Sequence, residues 1–222
     1  MSKPILALNS IRGKSGKDTL IEHIEANGLK VHRVAFADTL KRACAEVLAN
    51  GRGSMGLARS LERDMHSAKK DREEPWLSLA YIPKSEYSAW LNHVAYPADE
   101  DYYKPRSLRW HLQQYGTGFV RGHLKKPGHW LEKGCLEVLN GQSDPSVDVV
   151  VVTDMRLPNE YERMSLAGAH LIRIVRNWHV PEVDTVPYHE SDIALLAHAF
   201  DALVVNEWGR PEDMFKQIER FL

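Results

Sequence analysis

Cysteine is scarce: the chain has 2, Cys44 and Cys135, in 222 residues. Both fall in helix-like segments, suit a reducing compartment and read as packing residues rather than catalysts. Long apolar runs are missing as well. No stretch approaches the ~18 residues of a membrane span, and near the amino terminus there is only Ile5-Leu6-Ala7-Leu8, too short for a signal peptide. The expectation is a cytoplasmic protein with no membrane partner. Charge of one sign is not in excess either. Lys and Arg number 29 against 30 Asp and Glu, a formal net charge of -1, and no basic block appears, which argues against a polymer nucleic acid as partner. A small anionic ligand held by a few cations stays compatible with this balance. The 11 histidines show no zinc spacing: His189-Glu190 starts like a zinc-protease motif, but Ile193 stands where the second histidine belongs. No Ser/His/Asp or Cys/His nucleophile constellation is apparent, and there is no internal repeat.

What is present is Ser15-Gly16-Lys17-Asp18-Thr19, between the apolar run Ile5 to Leu8 and a helix-like segment from Leu20. Strand, small-residue turn with one lysine, then a helix with free first amides is the arrangement that grips a polyphosphate. Gly16 lets amides approach phosphate oxygens, the new helix turns its positive end to the anion, and Lys17 follows charge on the terminal phosphates. Thr19 offers a hydroxyl to an inner phosphate. Asp18 stands where the usual pattern has a Ser or Thr ligand of magnesium, and is expected to act on the ion through water. The full pattern also asks for glycine where this chain has Ile11, with Gly13 displaced into the loop. The competing interpretation is a polar turn that caps a helix.

Short apolar runs alternate with helical patterns. Pro4 to Leu8, Val31 to Ala35, Val147 to Thr153, Leu171 to Val175 and Ala202 to Val205 read as strands. Val149 to Val152 is apolar on both faces and belongs in the middle of a covered parallel sheet. The prediction is an α/β doubly wound sheet of about five strands with ligands at its carboxyl edge. Helices are predicted at Thr19 to Ala26, Thr39 to Leu48 and Ser107 to Tyr115, stopping at Asn27-Gly28, Asn50-Gly51 and Gly116. Between Gly51 and about Pro105 the periodicity fades. The organisation expected is one domain: residues 1–50 as the first part of the core, 51–106 as a largely helical insertion acting as lid and substrate region, and 107–222 as the rest of the core.

Asp154 and Arg156 follow directly on the valine strand. A carboxylate there is placed to order magnesium and its waters, and an arginine two residues on to reach a phosphate. Against this stands a capping aspartate beside a surface arginine, since Pro158-Asn159-Glu160 opens a helix.

Taken in order, Lys14-Ser15-Gly16-Lys17-Asp18-Thr19, Leu40-Lys41, Asp71-Arg72-Glu73, Gly116-Thr117, Trp130, Asp154-x-Arg156 with Glu160, His189-Glu190-Ser191-Asp192 and Val204-Val205-Asn206 resemble the bacteriophage type of deoxynucleoside monophosphate kinase. The resemblance covers nearly the whole chain and is thin from Gly51 to Arg106. It implies a P-loop NTPase-type fold and transfer of the γ-phosphoryl of ATP to a deoxynucleoside monophosphate with Mg2+, in the host cytoplasm if the chain is phage-encoded. Carried over, Lys17, Asp154 and Arg156 would be catalytic. ATP would lie on Lys14, Ser15, Gly16, Lys17, Asp18, Thr19 and Ser191. The monophosphate would meet Leu40, Lys41, Arg72, Glu73, Arg109, Gly116, Thr117, Arg121, Trp130, Asp154, Arg156 and Glu160, with Trp130 as a stacking candidate or a core residue. Asp18 and Asp154 would serve the metal through water. A homodimer stays open. Other readings keep the loop but change the acceptor, as in a dephospho-coenzyme A or phosphomevalonate kinase, or make the protein a nucleotide-gated switch. Against the switch, no Asn-Lys-x-Asp guanine-reading motif is present.

Overall fold

A computed structural model describes residues 3–50, 55–97, 99–185, 187–188 and 190–222, with the backbone alone for residues 99, 190 and 191. The chain divides into two compact units, Met1–Phe36 with Lys133–Leu222, and Ala37–Glu132. Among the described residues no helix is long and apolar enough to cross a membrane.

The first unit is built on five strands: β1 (Ile5–Asn9), β2 (Val31–Val34), β3 (Val149–Val152), β4 (His170–Arg176) and β5 (Ala202–Asn206). All pair in parallel, in the order β2-β3-β1-β4-β5. The five predicted strands are all present. Two interior strands, β3 with unbroken apolar sequence and β1 apolar up to its last residue Asn9, are buried at every residue, as a parallel sheet covered on both faces requires. Leu20, Ile21 and Ile24 of helix Lys17–Ala26, with Met214 and Ile218 of helix Asp213–Ile218, pack on Leu6, Leu8, Val151, Ile172 and Val204 of the sheet. The first of these helices ends where predicted: Asn27 closes it and Gly28 turns away with φ 89, a left-handed angle that costs glycine little.

The second unit is mainly helical and wider than the 51–106 insertion expected. Helix Phe36–Ala49 runs into it and contributes Cys44, Ala45 and Leu48 to a core with Leu61, Met65, Leu77, Tyr87, Trp90, Leu91, Phe119 and Trp130. Residues 37–50 and 107–132 therefore pack with the segment between them, because their apolar faces close one core. Cys44 is fully buried, and burial pushes its thiol pKa up, so its packing role holds. A two-residue antiparallel pair joins Glu73–Glu74 to Arg106–Ser107.

The predicted helix stop at Gly116 is not observed. Helix Leu108–Gln113 widens into a π-helix over Gln114–His123. Gly116 answers a packing demand instead, since a Cβ there would sit 2.9 Å from Leu40 Cδ2, and one on Gly118 would sit 2.6 Å from Trp90 Cη2. Glycines that admit a neighbour's side chain look in sequence like glycines that end a helix.

His111 is wholly buried in this unit. Its Nε2 lies 2.8 Å from Leu77 O and its Nδ1 3.0 Å from Tyr87 Oη. A carbonyl only accepts, so Nε2 carries the proton and Nδ1 accepts from the tyrosine. Burial lowers the imidazole pKa to about 4, so the unfolded chain binds a proton here that the native state refuses. The resulting stability is whole above pH ~6.5 and is lost as pH falls from there towards 4, by about 3 kcal/mol. Urea unfolding from pH 7.5 to 4.5 should show this decline, and His111→Gln should flatten it; an equal slope in the variant would locate the acid sensitivity elsewhere.

Candidate functional site

β1, the middle strand, is flanked by β3 and β4, and the chain leaves its carboxyl end into the crevice where parallel sheets bind ligands. Residues 11–16 form an irregular loop with left-handed backbone at Lys14 (φ 55) and Gly16 (φ 97). Helix Lys17–Ala26 begins immediately after, two residues earlier than predicted, and no side chain caps it. Its first-turn amides, which have no partner inside a helix, border a cavity of about 300 Å³ lined by Lys14, Ser15, Gly16, Lys17, Asp18, Thr19, Trp178 and Asn206. Gly16 is the residue that opens this helix, and it has no side chain to satisfy those amides.

Asn206 closes the far side. From the end of β5 its Nδ2 donates to Ser15 O at 3.1 Å, and a Cβ at Gly16 would collide with this amide. Asn206 and Ser15 are both buried, yet neither Asn206 Oδ1 nor Ser15 Oγ has a hydrogen-bond partner among the described residues. Buried polar atoms of this kind are normally satisfied, and here they flank the cavity.

Lys17 Nζ donates to Ser10 Oγ. Burial, followed by the positive charge of Arg156, lowers its pKa to about 8, while Asp18, Asp154 and Asp192 act in the opposite direction. The lysine, Asp154 and Arg156 singled out in sequence are thus electrostatic neighbours. Asp154 Oδ1 accepts from Phe36 N at 2.8 Å, which fixes the carboxylate by the end of β2. Arg156 Nη1 lies 3.0 Å from Asp192 Oδ1. Asn9, buried at the end of β1, donates to Met155 O at 2.9 Å and accepts from Arg173 Nε at 3.2 Å, so it ties the Asp154–Arg156 turn to the central strands.

Other expected residues are held by partners within the chain. Asp18 is largely exposed and ion-paired with Arg33. Glu160 Oε2 accepts from the backbone N of Arg156 (2.8 Å) and of Leu157 (3.0 Å). It caps helix Pro158–Leu166 from the N3 position. Ser191's side chain and all of His189 lie outside the described residues. Among the described residues no three His, Cys, Asp or Glu side chains are grouped to hold a metal ion. Magnesium held mainly by phosphate oxygens needs only one or two carboxylates, and Asp154 fits that demand better than Asp18.

In the second unit, Lys41 Nζ donates to Asp38 Oδ1 at 2.8 Å and lies 3.2 Å from His66 Nδ1. Asp71 takes a two-pronged grip from Arg109, which holds the carboxyl pKa down. Arg72 pairs with Glu74 at 2.8 Å, and Glu73 is exposed in its short strand. Thr117 is exposed, while Arg121 Nε is buried with no partner among the described residues. Leu40, Gly116 and Trp130 come together: Leu40 packs on Gly116, whose carbonyl accepts from Trp130 Nε1 at 3.2 Å. At 3% exposure Trp130 is a core residue, the second of its two readings.

Sequence reasoning missed Asn9 and Trp178 and gave Asn206 no role of its own. The usable signal was position, since each stands at or just past the carboxyl end of a strand. A scan against protein-family models and a search of curated protein sequences both return no match.

Glu160→Ala should lower stability by about 1 to 2 kcal/mol, because two backbone amides lose their acceptor. Chemical denaturation measures this; unchanged stability would mean the cap is dispensable.

Proposed function

We propose that this chain is a P-loop NTPase-type kinase that transfers the γ-phosphoryl of ATP to a deoxynucleoside monophosphate with Mg2+. The observation that carries the donor half is the cavity after β1, where an uncapped helix start led by a left-handed glycine, the cation of Lys17 and two unpartnered buried oxygens converge. These are the features a polyphosphate uses: free amides, a helix dipole and a mobile cation. The sheet order, with the loop on the middle strand, suits the same reading.

With a pKa of about 8, Lys17 is largely protonated at neutral pH, and the phosphates it meets favour that charged form. It is the group able to track charge as the bond to the leaving oxygen lengthens. Arg156, brought to the same neighbourhood from the end of β3, is a second cation for the transferred group. Asp154 would order the waters of Mg2+, which when bound neutralises charge on the phosphates. Trp178, bordering the cavity, offers an aromatic face to the nucleoside of the donor. The acceptor needs no strong general base, since a phosphate monoester is already nucleophilic at pH 7; the protein's tasks are positioning and charge neutralisation. The choice of a deoxynucleoside monophosphate rests on the resemblance, through Lys41, Arg72, Arg109 and Arg121.

An ADP-release assay over deoxy- and ribonucleoside monophosphates, with dephospho-coenzyme A and phosphomevalonate alongside, should give turnover with one or more deoxynucleotides. Lys17→Met should lower kcat at least about a hundredfold while the circular dichroism spectrum is kept. ATP hydrolysis indifferent to every acceptor would identify a switch instead, and near-normal transfer by Lys17→Met would remove the loop from the chemistry.

A further inference from the structure

The cations of the loop are not idle. After β4 the chain forms a one-turn helix, Pro181–Asp184, whose Val183 Cγ1 lies 3.5 Å from where a Cβ on Gly13 would stand. Its root is firmly held: Arg176 donates to Asp184 through Nη1 at 2.8 Å and Nη2 at 2.6 Å, Val180 N adds a bond at 2.6 Å, and His179 Nδ1 lies 3.2 Å away. Asp184, so engaged, is architectural. Arg12, 4.0 Å from it, lies over the Tyr188 ring at 3.5 Å. Glu182, two residues before Asp184, reaches Lys14 Nζ at 3.4 Å through one ion pair with both side chains more than half exposed. Asp192 makes the corresponding contact with Arg156 at 3.0 Å.

Two cations near the cavity are therefore each paired with a carboxylate of the chain after β4, one anchored through Asp184. We infer that Glu182 and Asp192 are internal competitors of the ligand, and that they set how strongly the site prefers a long phosphate chain to a short one. This rests on the loop being a phosphate site. A single phosphate satisfied by the helix amides and Lys17 leaves both pairs intact. A triphosphate that extends to Lys14 and Arg156 has to displace Glu182 and Asp192, because one cation cannot hold both anions at full strength in the same geometry. The carboxylates thus weaken binding of the long chain selectively, and their exchange returns the site to a neutralised state when the chain leaves.

Calorimetric titration with orthophosphate, pyrophosphate and tripolyphosphate, without metal, tests this on the intact protein. Glu182→Gln and Asp192→Asn should each tighten tripolyphosphate about two- to fivefold, the factor matching loss of a competing exposed ion pair. The two gains should multiply in the double variant, as separate pairs do, while orthophosphate affinity changes less than about twofold. Glu182 is exposed, so Glu182→Gln carries the test even if Asp192→Asn folds poorly. No tightening, or equal tightening for all three anions, would overturn the inference while leaving the phosphate site in place. A wild-type protein that binds none of them would remove the phosphate-site reading and this one with it.

Discussion

A chain that leaves a buried strand and must start a helix within a few residues has to reverse its direction at the sheet edge, and that turn runs through Gly16. Its φ of 97 lies where an L side chain is strained, and the Asn206 amide fills the space a Cβ would need. The two requirements reinforce each other. Asn206 holds Ser15 O only because glycine lets it approach, and the helix can open with bare amides only because the residue before it supplies no cap. The cavity, the position of Lys17 and the two unpartnered oxygens follow from this one close approach.

The rest of the sheet edge is tuned electrostatically around Lys17. Burial and Arg156 favour loss of its proton; three carboxylates resist. The balance is built by residues from different strand ends, which Asn9 fastens together through Met155 O and Arg173. Such a network demands that β1, β3 and β4 keep their register, so the apolar packing beneath and the polar geometry above are one problem. A slip of one residue would reverse every side chain on a strand.

Fold was more legible in the sequence than site. Apolar runs such as Val149 to Val152 announce buried strands by composition alone, and Asn27-Gly28 announces a helix end by its conformational freedom. The helix stop expected at Gly116 failed because a glycine chosen for close packing against Leu40 carries the same letter. The loop residues and the pair Asp154 and Arg156 were visible as a motif, and the structure brings Lys17 into the electrostatic reach of both. Glu160 was visible only through the resemblance, and in the fold the backbone amides at the start of the next helix engage it. Asn9 was illegible: a single polar residue after an apolar run has no pattern, and its worth comes from partners found only when distant strands meet.

The place of the helical unit in the chain has a consequence for biosynthesis. Residues 37–132 enter between β2 and β3, so the ribosome delivers that unit whole while the sheet still lacks its third, fourth and fifth strands. Its own core, closed by contacts within Ala37–Glu132, is available for collapse during synthesis. β1 and β2, not neighbours in the sheet, wait unpaired until Val149–Val152 emerges to lie between them. Two strand segments with open hydrogen-bonding edges, the apolar β1 and the mixed β2, are thus exposed through much of translation, a period in which pairing with another chain competes with pairing at home. Because β3 is the strand that ends it, damage there would tell first on the yield of native protein, before any loss at the loop of residues 11–16 could be felt.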